Sequence, residues 1–359
     1  MAKVIIAGAG GAPSEGVIRS MQQCDWGDTI IGMGSEPTDL ALSAAIRRHV
    51  VPYADSPHYA QTLMKLLALE VPDLIHFQND LEIYHASLMR ETILATGTTL
   101  YMPSHDTIDC CVHKHKSYLK WKASGVRVPE NILLHDINDL KSAFNTLADD
   151  EGKIWLRATS IGGGGKGALP TADFEFARRW IENYRGWGEF SAAGMLTRDS
   201  VTWQSIWYRG ELVVAQTRKR LGWTHGNRTV SGVTGVTKVG QTISDETVDR
   251  VAMDSILAID SEPHGIYGVD MTYDSDGFPN PTEINISRFF TTIRFFTEAG
   301  LNMPKIFKDI ILHETFPSLD RKINPLPDGL LWLRGMDTPP MLTTEKGMRD
   351  GMNFLDSDG

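Results

Sequence analysis

The sequence predicts an α/β protein, with an N-terminal parallel-sheet (Rossmann-like) domain followed by a strand-rich region that builds a second sheet. Three observations carry this. From residue 1 to about 105, short apolar strands alternate with helical stretches, the pattern of a parallel sheet covered by helices on both faces. Two hairpin patterns then appear, one around Arg209-Gly210 and one around "DSDGFP". Between these regions a glycine run, "SIGGGGKG", joins the predicted strand "KIWLRA" to a predicted helix in "PTADFEFARRWIENY", capped by Thr171 or Asp173.

In order, "KVIIAGAG", "TIIGMG", "HVVPYA", "DLIHFQ" and "TLYMPS" read as buried strands, separated by helices such as "EGVIRSMQQC", "YAQTLMKLLALE" and "EIYHASLMRETILATG". A polar helix is expected from His105 to Gly125. "TWQSIWY" and "ELVVAQTRKR" form the first hairpin, a helix follows near 246–259, and "GIYGVDMTY" pairs with "NPTEINIS" in the second. The piece from about 316 onward is proline-rich and predicts a short strand and a frayed tail. The chain contains no internal repeat.

Bulk properties narrow the class. At 359 residues the chain has room for two or three domains, and 42% hydrophobic with 22% charged residues is ordinary for a globular protein. A net charge of −10 argues against nucleic acid as the main partner. Cys24, Cys110 and Cys111 make neither a disulfide framework nor a zinc pattern, and no apolar run approaches ~18 residues. A cytoplasmic location without membrane attachment is expected.

Several motifs bear on chemistry. "GAGGAPSEG" follows a strand and opens a helix, but Pro13 spoils a GxGxxG pattern, and Glu36 is the only acid near the end of the second strand. A tight strand-to-helix turn or an anion site is the better reading than a dinucleotide site. The loop at 160–167 fails as a P-loop, because Gly167 stands where Ser or Thr must follow the lysine. Backbone N–H groups of such a loop, lying between two ordered elements, can still approach an anion closely.

The second hairpin is the most informative. With its loop centred on Asp274–Pro279, Tyr273 faces Asn280 and Asp270 faces Glu283, with Asn285 on the same face as Glu283. Facing carboxylates repel unless a cation lies between them, and hard oxygen donors suit Mg²⁺. An EF-hand reading fails, since its first position is Thr272 and prolines 279 and 281 fall inside the loop.

A glycine-rich strand–loop–helix followed by a hairpin ending in E-x-N with an arginine behind resembles the ATP-grasp superfamily, and within it the single-module relatives of the carbamoyl phosphate synthetase large chain. The likeness runs from the N-terminal "GAGG" to roughly residue 310. It rests most on "GVDMTYDSDGFPNPTEINISRFF" and "LRATSIGGGGKG". It implies an ATP-grasp fold with a lid and a catalytic antiparallel sheet: an N-terminal domain over 1–105, the ATP-grasp domain over 106–315 with its lid at about 128–200, and a C-terminal extension over 316–359. It further implies that Asp270, Glu283 and Asn285 hold magnesium, as two ions, with Mn²⁺ the alternative. Gly162, Gly163, Gly164, Gly165 and Lys166 would cover the ATP phosphates. Arg157 and Lys114, with Lys116 as the alternative register, would bind those phosphates as well. Arg157 and Arg288 would act at the transferring phosphoryl group.

The activity implied is ligation of a small-molecule carboxylate to an amine through an acyl phosphate, releasing ADP and phosphate. A small-molecule or carbamate kinase and a silent nucleotide sensor are the alternatives; a homodimer is the expectation from base rates. Two departures stand out: the hinge around Gly194 has no acid for the ribose, Glu189 being the nearest, and Ser287 separates the E-x-N run from Arg288. With no second module and no glutaminase, carbamoyl phosphate itself is not the expected product.

Further candidates are Arg218 and Arg220, as an anion site or a solvated basic face, and "SGVTG" at 231–235 as a substrate loop. His76, Asp80 and Glu82 lie at the carboxyl edge of the first sheet. His113 and His115 have a spacing that suits no shared metal, and Cys110 and Cys111 are expected to be buried.

Overall fold

The computed structural model describes residues 1–23, 27–159, 165, 167–224, 226, 230–232, 235–334 and 352–354. Chain order begins with β1 (Lys3–Ala7), α1 (Ala12–Gln22), β2 (Thr29–Gly34), α2 (Pro37–Ala41), β3 (Arg47–Val50) and α3 (Tyr59–Glu70). It continues with β4 (Leu74–His76), α4 (Asp80–Leu88), α5 (Arg90–Leu94) and β5 (Thr99–Leu100). These strands form a parallel sheet in the order β3-β2-β1-β4-β5. The strand order reverses between β1 and β4, so the loops after those two strands open a crevice at the sheet's carboxyl edge.

The glycine turn after β1 is a packing device. Gly10 has φ +89°, and a Cβ there would sit 1.8 Å from the Asp39 carbonyl oxygen, so α2 lies directly against its backbone. The Gly10 N–H donates to Glu15 Oε1 at 3.1 Å, and Glu15 also accepts from Ser43 and Ala44. The Gly10 N–H is thus satisfied by a side-chain carboxylate, and the loop makes a tight strand-to-helix turn.

The expected helix from His105 to Gly125 is two helices, α6 (His105–Val112) and α7 (Lys114–Ala123). His113 breaks it with extended dihedrals (φ −99°, ψ 93°), and the Lys114 N–H, freed at the start of α7, donates to the Thr159 carbonyl at 3.1 Å.

A four-stranded antiparallel sheet follows, built from β6 (Asn131–Leu133), β7 (Ile154–Ala158), β8 (Leu169–Thr171) and β9 (Phe190–Ala193) in the order β6-β9-β7-β8. Helices α8 (Ile137–Leu147) and α9 (Phe174–Asn183) cover one face around Leu156, Ile181 and Phe190. Asp173, not Thr171, caps α9 by accepting from the Phe176 N–H.

The third sheet is antiparallel, in the order β14-β13-β10-β11-β12-β15. Its members are β10 (Ser200–Tyr208), β11 (Glu211–Thr224), β12 (Val236–Ile243), β13 (Gly265–Tyr273), β14 (Pro279–Ile286) and β15 (Leu331–Leu333). Arg209 and Gly210, at φ 49° and 81°, make the two-residue turn expected between β10 and β11. Helix α10 (Glu246–Leu257) packs on one face; α11 (Ile293–Glu298) and α12 (Met303–His313) join the core that links this sheet to the first.

Alternation along β10 separates the faces. Val201 and Trp203 point into the core shared with Val248 and Ile256 of α10, while Ser200, Thr202 and Gln204 lie on the opposite, polar face. The described part of the C-terminal piece holds two short strands. Beyond β15, the strand β16 (Met352–Phe354) pairs in parallel with β3 and extends the first sheet to six strands. No helix among the described residues is long and apolar enough to cross a membrane.

Candidate active site

The polar face of the third sheet holds the residues picked out in the second hairpin. Asp270 on β13 stands opposite Glu283 on β14, the register expected from alternation. Nearer the tip, however, Tyr273 faces Pro279 and not Asn280. A bulge at Thr282 absorbs the one-residue difference, and Thr282 anchors itself by donating to the Asp270 carbonyl at 3.0 Å. The bulge also frees the Thr282 carbonyl, which accepts from Arg157 Nη2 at 2.7 Å. Arg157 comes from β7, where Leu156 and Ala158 face inward and Trp155 and Arg157 face a cavity of about 260 Å³ between the second and third sheets.

That cavity is lined by the charged residues Lys114, Arg157, Arg198, Arg220, Asp270 and Glu283, together with Gly165 and apolar and aromatic residues such as Tyr118, Trp121 and Trp155. Lys114 Nζ lies 3.7 Å from Glu283 Oε2. Lys116 instead points outward, 52% exposed and 2.5 Å from Asp109, so the structure brings Lys114 and not Lys116 to the cavity. Among the described residues lining it, the only carboxylates are Asp270 and Glu283, and none stands at the hinge beside Gly194. Gly162, Gly163, Gly164 and Lys166 lie outside the described residues, as do Val233 and Thr234 of the 231–235 loop.

Charge on this face is compensated from within. Burial alone would raise the Asp270 carboxyl, but Arg220, Thr202, Arg218 and Asn285 together hold it below its ordinary value. Arg220 Nη2 lies 3.0 Å from Asp270 Oδ1 and its guanidinium stacks 4.4 Å from the Trp223 ring. Burial lowers Arg157, opposed by the charge of Glu283. Arg218 is 1% exposed, which excludes a solvated basic face there.

Asn285 donates from Nδ2 to Asp270 Oδ2 at 3.1 Å, and its oxygen accepts from Arg288. Among the described residues no group of three His, Cys, Asp or Glu side chains is placed to hold a metal ion. Two facing carboxylates plus an amide match the donor type Mg²⁺ prefers. For the amide oxygen to join them, Asn285 must turn over.

Arg288 does not line the cavity. Ser287 takes a left-handed backbone (φ 55°), and Arg288 is thereby aimed at the first sheet, where Nε lies 2.7 Å from Asp80 Oδ1. Burial would lower Arg288, but Asp80 outweighs it and the guanidinium is held above its ordinary value. Asp80 opens α4, whose cap is Asn79 accepting from the Glu82 N–H at 2.9 Å.

Of the three residues singled out at this edge, only Asp80 reaches the site. Burial pushes Glu82 up to about 7 against its bonds to Asn79 and Tyr59, and pushes His76 down to about 4. His76 packs on the Phe289 and Phe307 rings. Cys110 and Cys111 are buried, and burial raises both thiols. Thr202, Gln204 and Trp223 escaped the sequence reading, although the alternation of "TWQSIWY" against β13 places Thr202 beside Asp270.

The sheets and this cavity define an ATP-grasp fold. No protein-family model matches the chain, and no curated protein sequence does. Solved structures do. The N5-carboxyaminoimidazole synthetase from Staphylococcus aureus complexed with ADP is 16% identical, with 88% of this chain and 79% of that one covered at a TM-score of 0.67. The biotin carboxylase domain dimer of Hydrogenobacter thermophilus 2-oxoglutarate carboxylase, in complex with MgADP, ADP and bicarbonate, is 16% identical over 92% and 73%, at 0.70. The L-amino acid ligase from Bacillus licheniformis is 11% identical over 87% and 74%, at 0.63.

Proposed function

We propose that this protein is an ATP-dependent, ADP-forming ligase that joins a small-molecule carboxylate to an amine through an acyl phosphate. The observation that carries the reading is the facing pair Asp270 and Glu283, with Lys114, Arg157 and Arg220 around it, in a cavity also lined by apolar and aromatic side chains. Apolar and aromatic walls suit a base, and the cations suit phosphates. The second sheet acts as the lid. Three neighbours of the same fold hold ATP, ADP or MgADP, which supports the nucleotide and the metal.

Phosphoryl transfer asks for positioning and charge neutralisation more than covalent help. Lys114 and Arg157 would neutralise the phosphates, and Asp270, Glu283 and a turned Asn285 would hold magnesium, which would supply further positive charge for the phosphates. Arg288 is kept at the boundary of the first and third sheets by Asp80.

Phosphorus NMR of ATP and Mg²⁺ with the protein and pooled carboxylates and amines tests this. ADP and phosphate appearing only when a carboxylate and an amine are both present is the expected result. A phosphorylated product that persists with an amine present would make the protein a kinase, and AMP with pyrophosphate would overturn the reading.

A further inference from the structure

Thr202 is wholly buried on β10, paired with Asp270 on one side and Arg218 on the other. Its hydroxyl donates to Asp270 Oδ1 at 2.5 Å and accepts from Arg218 Nη2 at 2.7 Å and Arg220 Nη2 at 3.2 Å. A hydroxyl has one proton and two lone pairs, so every bond this oxygen can make is in use and its proton has one direction, toward the carboxylate.

Arg218 is the unusual member of the set. Its hydrogen bonds go to two hydroxyls, Thr202 and Thr292, and none to a carboxylate. Its buried Nε has no hydrogen-bond partner, and the guanidinium lies 4.6 Å from the Phe290 ring. Burying a cation without a direct counter-ion is costly. Such a group is too enclosed to receive a ligand itself. Its charge, however, acts on Asp270 from one hydroxyl away.

We propose that Thr202 and Arg218 are positioning residues that fix Asp270 for a divalent cation, an inference that rests on reading Asp270 as a metal ligand. The bonds from Thr202 and Arg220 both fall on Oδ1, which leaves Oδ2, on the Asn285 side, as the oxygen offered to the metal. A second guanidinium bound directly to Asp270 would compete for that oxygen. Relayed through a hydroxyl, it aims the carboxylate without covering it. Partners of this kind around a ligand set its affinity by 10- to 100-fold, in rough terms.

The test is a titration of Mn²⁺ by electron paramagnetic resonance in the presence of ADP, with ADP binding in EDTA measured alongside. Thr202→Val should weaken Mn²⁺ by about tenfold or more, Thr202→Ser should restore it to within about twofold of the parent, and ADP affinity in EDTA should not change. A purely structural role would move both affinities or neither. Parent-like Mn²⁺ binding by a folded Thr202→Val protein overturns the relay. If valine is not tolerated there, Arg218→Lys, which keeps the charge but loses the guanidinium fork, should weaken Mn²⁺ severalfold, and parent-like binding again overturns the proposal. A parent protein that takes up no Mn²⁺ with ADP removes the metal reading, and the relay with it.

Discussion

The carboxyl edge of the first sheet and the polar face of the third both bury ionisable groups, and they treat them in opposite ways. At the first, Glu82 and His76 are buried with neutral partners only, and desolvation pushes one up to about 7 and the other down to about 4. At neutral pH His76 is therefore uncharged and Glu82 stands near its own midpoint. On the third sheet the Asp270 side chain keeps 14% exposure, and Arg220, with Arg218 behind it, holds its carboxyl low. The counter-charges arranged around a group thus bear on whether it keeps its charge. The two regimes meet at Asp80 and Arg288, where each supplies one partner of an ion pair.

The sharpest way to break the contrast is Glu283→Gln. Replacing a charged oxygen on the third sheet should lower kcat on the order of 10²–10³-fold with the thermal melt unchanged. Near-normal turnover would show that the charge there is not used in chemistry.

On the first sheet the matching change should act on stability instead. The folded value of Glu82 lies above its ordinary value of 4.5, so its contribution is fully present below that value and is lost as pH rises past about 7. At about 1.4 kcal/mol per pH unit, that is roughly 3 kcal/mol. Glu82→Gln should flatten the fall in Tm between pH 5 and 8; an unchanged slope would remove Glu82 from the account.

Asp80→Asn probes the meeting point, leaving Arg288 without its counter-charge. Urea unfolding should show about 2 kcal/mol of lost stability, and a loss near zero would mean that water serves Arg288 as well as Asp80 does. The smallest effect expected is that of Lys166→Ala, about tenfold in KM for ATP or about 1.4 kcal/mol, with stability unaltered. An unchanged KM would demote the glycine loop to a connector.

How much of this was legible follows from distance along the chain. Asp270 opposite Glu283 could be read because strand alternation carries a register across a short loop, even though the bulge at Thr282 was invisible and the tip came out one residue off. The Arg209-Gly210 turn, β7 and α9 were local in the same sense, whereas β8 (Leu169–Thr171), which takes Pro170 and Thr171 from the expected helix, depends on its pairing with β7. The Asp80–Arg288 pair spans 208 residues, and no local pattern encodes it. The enclosure of Arg218 was equally hidden, since "TRKR" reads as a surface run until Thr202, Phe290 and Thr292 close around it. The break at His113 was missed because nothing in "CCVHKHK" stops a helix; the Thr159 carbonyl, far along the chain, takes the N–H that a continuous helix would have used.

The strand β16 sits on β3, with Met352 opposite Arg48, about 300 residues apart in sequence. Synthesis at roughly 5–20 residues per second puts about 15–60 s between the emergence of the two. For that interval the growing chain carries β3 as an open border, bearing unpaired amide and carbonyl groups that any other strand could claim. A stretch made about 300 residues later therefore closes this border of the first sheet, which stays open until that stretch has emerged.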